Sequence, residues 1–416
     1  MNKLKSIIIY LVINTITVIS FSQDKSFDSY FTRERLRLDI IFAGDQSNQH
    51  CFLEAMYREP EWGGSTTNLV EEFGYGEYNY RVEDKNGNII FSKGFNSLFQ
   101  EWRTTPEAKT LKRAMKGSYV IPFPKAGVNV IFSERNKADG LFRDIASFPV
   151  DPNDNSISAG KTHDFASSLL YEGGKPYQKV DLVFIAEGYT SEQMSKFRED
   201  SKRFAGYLFE MEPYKSRKSD FNIWIVESVS DESGTDIPHQ DTWARTALSS
   251  TFYTFGIDRY LTAPDQSKVA SAASQVPYDA LYVIVNTEKY GGGGIYNFYG
   301  LSMSDHKLSA EVFVHELGHS FAGLGDEYYS SEVAYEDFYD LNREPWEPNL
   351  TTKIDFRSKW EDLFKKGEAG LFEGGGYMSK GIFRPAADCR MKSNTSSGFC
   401  PVCTRAINIM IDNYIK

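Results

Sequence analysis

The spacing of hydrophobic and polar positions divides the chain into two regions. From residue 27 to 149, short apolar and aromatic runs alternate with turn residues. The segment Asp84-Lys-Asn-Gly-Asn88 lies between two of these runs and has the composition of a tight hairpin turn. The pattern predicts an all-β sandwich over residues 23–150. The predicted strands cover residues 36–41, 78–82, 89–92, 117–122 and 129–133.

A polar, turn-rich stretch at 151–165 is predicted to be a linker. Beyond it the pattern becomes strand, helix, strand, at 179–186, 191–211 and 221–229. Such a βαβ start predicts a mixed sheet with packed helices, and therefore an α+β domain over residues 166–416. The positions of the helix predicted to face the sheet are Met194, Phe197, Phe204 and Leu208.

The most informative helical pattern contains a His-Glu-x-x-His run. Residues four apart lie on one face of a helix, so His315 and His319 can bind one metal ion. Glu316 lies one position further round, where its carboxylate can take a proton from a water molecule at the metal. Gly323 is expected to end the helix. The apolar positions that support the helix are Phe313, Leu317, Phe321 and Leu324.

A catalytic zinc takes three protein ligands and keeps one position open for water. The chain after the helix is the natural source of the third ligand, because a glycine turn can bring it back toward the metal. Asp326, seven residues after His319, is the predicted ligand, and Glu327 is the alternative. A role for Asp326 beside the metal ligands, without direct contact with the ion, stays open.

The run at 315–328, His-Glu-Leu-Gly-His-Ser-Phe-Ala-Gly-Leu-Gly-Asp-Glu-Tyr, resembles the zinc-site signature of the M64 metallopeptidases, a family named for an IgA-specific peptidase. It is also related to the wider metzincin pattern, from which it departs by one residue, with Gly325 at the metzincin third-ligand position. The resemblance covers residues 170 to 410. It implies a metzincin-like catalytic domain with one catalytic Zn²⁺.

A second part of the resemblance lies near the C-terminus. M64-like sequences carry a Cys-x-Met segment followed by Phe-Cys-x-x-Cys, and here Met391 is the candidate for the methionine turn of metzincins. An ordinary core methionine is the other interpretation. Cys389 is expected to form a disulfide with Cys400 or with Cys403. The competing hypothesis is a Cys-x-x-Cys metal or redox site.

Three further segments carry candidate chemistry. Tyr377, in a glycine-rich stretch, is a candidate donor to the oxyanion of the tetrahedral intermediate, and Tyr328 competes for that role. The apolar run 279–286 and four glycines at 291–294 predict either an edge strand that binds an extended peptide or a flexible loop. The acidic segment 230–236 matches no complete Ca²⁺ loop, so calcium is unsupported and a solvated loop is expected.

The first 22 residues have the pattern of a secretory signal peptide. Lys3 and Lys5 precede a mostly apolar run at 6–21, and small residues flank the expected cleavage site. We therefore expect a secreted, periplasmic or cell-surface protein without stable membrane insertion, and a monomer. With 46 basic and 57 acidic residues, the net charge is −11, which argues against a nucleic-acid partner.

These observations predict a secreted zinc endopeptidase that acts on protein or glycoprotein substrates with Glu316 as general base. A narrower version is a glycoprotein- or mucin-directed peptidase whose N-terminal region selects the substrate. The alternative from another class is a cell-surface protein that binds glycans or glycoproteins and has a structural or vestigial zinc site.

Overall fold

The computed structural model describes residues 26–159, 164–330 and 338–415 of the 416-residue chain. The expected signal peptide lies outside the described residues. The α-helices are α1 (Phe27–Tyr30), α2 (Leu98–Arg103), α3 (Met194–Glu210), α4 (Gln266–Ala273), α5 (Ser309–Ala322), α6 (Glu361–Lys365) and α7 (Pro401–Ile415). Within the described residues, no helix is both long and apolar enough to cross a membrane.

The strands follow in chain order. Those of the N-terminal region are β1 (Phe31–Gly44), β2 (Gln49–Glu59), β3 (Tyr78–Glu83), β4 (Ile89–Phe95), β5 (Arg113–Pro124), β6 (Val128–Arg135), β7 (Phe142–Val150) and β8 (Ser158–Ala159). Those of the C-terminal region are β9 (Ala166–Tyr171), β10 (Val180–Glu187), β11 (Phe221–Glu227), β12 (Ala280–Val285), β13 (Gly292–Ile295), β14 (Tyr299–Met303), β15 (Phe372–Gly375) and β16 (Met378–Arg384).

The N-terminal region is rich in β-structure, as the sequence predicts. Its strands form two four-stranded sheets, ordered β5-β1-β2-β8 and β4-β3-β6-β7. Side chains alternate along β3, so that Tyr78, Tyr80 and Val82 are buried in a hydrophobic cluster that also contains Leu36 and Leu38 of β1. The two sheets therefore contribute to one shared core.

Two strands of this region, β2 and β7, are not predicted by the sequence pattern. β2 and β7 carry mixed polar and apolar residues with few fully buried positions, so neither shows an apolar run. The expected linker is also more ordered than predicted, because β8 pairs in parallel with β2 over Ser158 and Ala159. Residues 160–163 of that linker lie outside the described residues.

The C-terminal region is built on a six-stranded mixed sheet ordered β13-β14-β12-β10-β11-β9. The predicted βαβ unit is confirmed, since β10 and β11 pair in parallel and α3 connects them. Every residue of β10 is buried, as expected for a central strand covered on both faces. Thr190 and Gln193 form a capping box at the turn that leads into α3, which explains why the helix begins there.

Helices α3, α5 and α7 share the hydrophobic cluster on one face of this sheet. Phe184 of β10 packs edge-on against Phe204 of α3 and Phe313 of α5, with ring centroids 6.4 and 5.8 Å apart. Between residues 356 and 366, a short turn at Phe356–Ser358 is separated from α6. The break coincides with Trp360, which is buried and donates to the carbonyl of Gly370.

The opposite face of the sheet contacts α4 and the N-terminal region. Leu98, Met115 and Val120 of that region pack against the cluster that contains Val183 and Ile185 of β10. Hydrogen bonds add to the contact: the backbone amide of Asn96 donates to the carbonyl of Tyr296 at 2.9 Å, and Asn297 Nδ2 donates to the carbonyl of Gly94 at 2.7 Å. The contact brings α2 and the segment before it close to β13.

Candidate active site

The chain reverses direction where α5 ends. Gly323 has φ = 64°, a left-handed conformation that glycine adopts without steric cost. Its amide donates to the carbonyl of His319 at 3.0 Å, and the amide of Leu324 donates to the carbonyl of Gly318 at 3.2 Å. The predicted helix end is thus confirmed, and the reversal carries Asp326 back toward the helix face that bears the histidines.

Three ligand atoms converge at this turn. The Nε2 atoms of His315 and His319 are 3.1 Å apart, and Oδ1 of Asp326 lies 3.1 and 3.3 Å from them. Two ligands bound at about 2.0–2.1 Å in tetrahedral geometry are separated by roughly 3.3–3.4 Å, so the spacing fits a shared metal ion. Oδ1 is buried but accepts no well-aligned hydrogen bond, which indicates that the three atoms point at a common centre.

The opposite ring nitrogens of both histidines are held by backbone carbonyls. Nδ1 of His315 donates to the carbonyl of Arg390 at 3.0 Å, and Nδ1 of His319 donates to that of Leu324 at 2.5 Å. A carbonyl only accepts, so each Nδ1 carries a proton, and in the neutral ring Nε2 is left with its lone pair. The site is therefore compatible with a bound cation.

The site stabilises a proton on His319. Burial lowers the pKa of His319, but the neighbouring Asp326 carboxylate outweighs it and raises that pKa to about 9. For Asp326 burial acts in the opposite direction and raises the pKa of the carboxylate, yet the charge of His319 holds that pKa well below its usual value. A metal ion that binds here must consequently displace a proton near neutral pH.

Tyr377 lies at the tip of the β15–β16 hairpin, beside the candidate metal ligands. Its hydroxyl donates to Oδ2 of Asp326, the oxygen that faces away from the histidines. Backbone bonds hold the hairpin there, since the amide of Gly376 donates to the carbonyl of Asp326 at 2.7 Å and that of Tyr377 to the carbonyl of Tyr328 at 3.1 Å. This contact makes Tyr377 a positioning residue for the carboxylate. Its predicted role at the oxyanion stays a prediction.

Glu327, the alternative third ligand, is directed elsewhere. Its Oε1 accepts from Asn349 Nδ2 at 3.0 Å and lies 3.2 Å from Sγ of Cys403, in a separate cluster with Cys389 and Cys400. Asn349 is fully buried and also bonds both the amide and the carbonyl of Gly325. Sequence reasoning missed Asn349, which has no distinctive motif around it.

The expected methionine packs beneath α5. Met391 is fully buried, and a Cβ added to Gly318 would lie only 2.8 Å from its Sδ. The prediction of a disulfide is corrected by the structure, because Cys389, Cys400 and Cys403 are all free thiols. The Sγ atoms of Cys389 and Cys403 are 3.7 Å apart, whereas a disulfide needs about 2.05 Å.

The glycine run forms strand β13 at the edge of the sheet, directly against α5. A Cβ at Gly292 would lie 2.9 Å from Oε1 of Glu316, and one at Gly294 would lie 2.4 Å from the Glu316 carbonyl. Only glycine permits this approach. The edge is partly covered, since the amide of Leu261 donates to the carbonyl of Gly292 at 3.4 Å. A carboxylate oxygen of Glu316 lies within 4.8 Å of a ring nitrogen of each histidine.

A cleft opens over these residues. Its wall includes Asn96 and Glu101 from the N-terminal region, together with Arg259 and Tyr328. Nη2 of Arg259 lies 3.5 Å from the Tyr328 hydroxyl and brings a positive charge to the cleft. Sequence reasoning missed Arg259, which lies in an irregular segment without a motif.

The acidic segment 230–236 lies against residues 244–250. Glu232 accepts from the amide of Arg245 at 2.7 Å and Asp236 from that of Ala244 at 2.8 Å. Residues 231–233 are exposed, as expected for a solvated loop, whereas Ser230 and Thr235 are buried. The two carboxylates thus bind backbone amides, and calcium gains no support.

The sequence of this chain is similar to a known protein family. The family model described as IgA Peptidase M64 matches residues 169–369 and 365–411, more than half of the chain. The chain belongs to the M64 peptidase family. A second model, described as Peptidase M64 N-terminus, matches residues 26–144, so the M64 match covers most of the described N-terminal region as well. The resemblance inferred from residues 315–328 is confirmed. No curated protein matches the chain.

Membership of the M64 family assigns the chain to the peptidases, which act on protein substrates. The cleft described above contains the residues that the sequence proposes for that chemistry, namely His315, Glu316, His319, Asp326 and Tyr377. The same cleft also receives residues from the part matched to the M64 N-terminus, Asn96 and Glu101.

Proposed function

We propose that this M64 protein is a secreted zinc-dependent endopeptidase with His315, His319 and Asp326 as metal ligands. The observation that carries the proposal is the approach of their three ligand atoms to 3.1–3.3 Å of one another. Two imidazoles and one carboxylate are the donor set of many catalytic zinc sites, and three protein ligands leave one position open. When bound, zinc polarises the scissile carbonyl and lowers the pKa of a water molecule.

Glu316 is the proposed general base. Burial raises its pKa although both nearby histidines lower it, which makes the carboxylate a better proton acceptor than an exposed glutamate. It takes one proton from the attacking water as the new C–O bond forms. It then donates that proton to the amine nitrogen as the C–N bond breaks, so the peptide bond is hydrolysed with no other reactant.

The proposed path of the substrate follows β13. The glycines bring β13 close to Glu316, and residues 294–295 continue beyond Gly292 and Gly293, which Leu261 contacts. Arg259 and Tyr328 form the facing part of the cleft wall. A peptide in extended conformation is therefore the proposed substrate form, with the protein or glycoprotein class inferred from the family.

We also propose a fold for each of the two regions and a cellular location for the protein. Since the two N-terminal sheets share one core, we infer a β-sandwich over residues 23–150. The mixed sheet, the helix with both histidines and the buried Met391 beneath it support a metzincin-like domain over 166–416. The pattern of residues 1–22 supports export to the periplasm, the cell surface or the medium.

The decisive experiment uses Glu316→Gln, which preserves the size of the side chain and removes its basicity. We expect the variant to retain wild-type zinc content and to lose cleavage of a denatured protein substrate by about 10²–10⁴-fold. Glu210→Gln, at an exposed glutamate near the end of α3, is the matched control and should cleave normally. Undiminished cleavage by Glu316→Gln would refute the mechanism. Zinc binding without cleavage by the wild type would instead favour the glycan- or glycoprotein-binding alternative.

A further inference from the structure

A second group of ligand atoms lies on the far side of the Asp326–Glu327 peptide. Sγ of Cys389, Cys400 and Cys403 and a carboxylate oxygen of Glu327 all lie within 4.8 Å of one another. All four residues are buried. We propose that they bind a second, structural Zn²⁺, separate from the ion held by the histidines. Four protein ligands close the coordination sphere, so this ion takes no part in the chemistry.

The distances between the sulfur atoms fit a metal better than a bond between them. Sγ of Cys389 and Cys403 are 3.7 Å apart. Two thiolates bound tetrahedrally at about 2.3 Å from zinc are separated by roughly 3.8 Å. A disulfide would leave the third cysteine and a buried carboxylate side by side without a cation. Thiolate-rich tetrahedral sites select zinc among the common divalent ions.

The surrounding backbone favours thiolates. The amide of Cys400 donates to Sγ of Cys389 at 3.3 Å, and the amide of Cys403 donates to Sγ of Cys400 at 3.5 Å. Cys400 directly precedes α7, a helix of 15 residues whose N-terminus stabilises negative charge. These contacts offset part of the negative charge that three thiolates and one carboxylate bring to a divalent ion.

Glu327 provides independent support for a cation site. Its Oε1 is bonded by Asn349 Nδ2, whereas Oε2 is buried and has no hydrogen-bond partner. An unpaired carboxylate oxygen in the interior is costly. A zinc ion beside the cysteines satisfies this carboxylate. Cys400 and Cys403 form the Cys-x-x-Cys pair, and the fold adds Glu327 and Cys389 as the two further ligands.

The proposed ion would join two segments that build the catalytic site. Glu327 follows Asp326 directly, and its amide donates to the carbonyl of Met391 at 2.8 Å. Cys389 precedes Arg390, whose carbonyl orients His315. The second zinc thus fixes the position of Asp326, the proposed third catalytic ligand, relative to the Arg390 carbonyl that accepts from His315.

The test begins with the full-length wild-type protein. We expect two zinc ions per chain by elemental analysis, and one in a His315→Ala/His319→Ala variant. After exchange for Co²⁺, the cluster should show a thiolate-to-cobalt charge-transfer band, which nitrogen and oxygen ligands alone do not produce. That band should survive in the double-histidine variant and disappear in Cys400→Ser/Cys403→Ser. Cys51→Ser is the control, because Cys51 lies in β2, outside the cluster.

Two results would overturn the proposal. One is a single zinc per chain and no thiolate band in cobalt-loaded wild-type protein. The other is the loss of two reactive thiols from the unreduced, denatured protein, which would show a disulfide. Because both readouts use the wild type, they decide the question even if the cysteine variants do not fold. Absence of cleavage would not affect them, so failure of the proposed function is distinguishable.

Discussion

Removal of the Tyr377 hydroxyl distinguishes two roles for this residue, orientation of the Asp326 carboxylate and stabilisation of the oxyanion. The phenol donates to Oδ2 of Asp326, while Oδ1 faces both histidines. In Tyr377→Phe the ring can keep its edge contact with Tyr328, at a centroid distance of 5.4 Å, and only the hydrogen bond is lost. Loss of a partner that orients a metal ligand weakens metal binding by about 10–100-fold, or roughly 1.4–2.7 kcal/mol.

The assay is competition for zinc with a chromophoric chelator at fixed pH, paired with kcat at saturating zinc. We expect the affinity for the catalytic zinc to fall by that factor, and kcat of the zinc-loaded enzyme to change less. Tyr329→Phe is the matched control, since Tyr329 is half exposed and the next residue after Tyr328. Unchanged zinc affinity with a fall of about 10²–10³-fold in kcat would refute the positioning role and support the oxyanion role.

Three further predictions address the metal ligands and the glycine strand. Asp326→Ala and Glu327→Ala should each lose one zinc, but only Glu327→Ala should weaken the thiolate band of the cobalt protein; loss of the same ion in both would contradict two separate sites. Because His319 has a pKa of about 9 without metal, affinity for the catalytic zinc should rise about tenfold per pH unit below that pKa and level off above it. A zinc affinity that does not change between about pH 6 and pH 8 would contradict the proton displacement. Gly294→Ala places a Cβ 2.4 Å from backbone and should destabilise by about 1–3 kcal/mol in thermal or denaturant unfolding, whereas Gly206→Ala in α3 has open space and should be neutral or stabilising; equal stability of the two variants would argue against the close approach of β13.

Local patterns were sufficient for the histidine helix and its surroundings. A four-residue spacing places His315 and His319 on one face in any α-helix, and a left-handed glycine ends the helix without tertiary help. The βαβ unit was also predictable, because β10 contains an apolar run from Leu182 to Ala186 and α3 has a one-sided apolar face. Each of these helices and strands is specified by residues close to one another in the sequence.

Features that depend on distant contacts were not predictable. Asn349 joins Gly325 and Glu327 across more than 20 residues, and Arg259 reaches Tyr328 from a segment without a pattern. The cysteine cluster was interpreted as a disulfide because its fourth member, Glu327, lies 76 residues before Cys403. Spacing along the chain does not reveal which carboxylate a fold will bring to a group of thiols.

The contact between the two regions also bears on how this peptidase can change in evolution. Asn96 and Glu101 belong to the cleft wall, and Leu98 covers part of the catalytic sheet. A gene fusion that replaced the N-terminal region would therefore alter substrate selection and uncover apolar surface in one step. The two regions are expected to be inherited as a pair, with compensating substitutions across their contact whenever either one diverges.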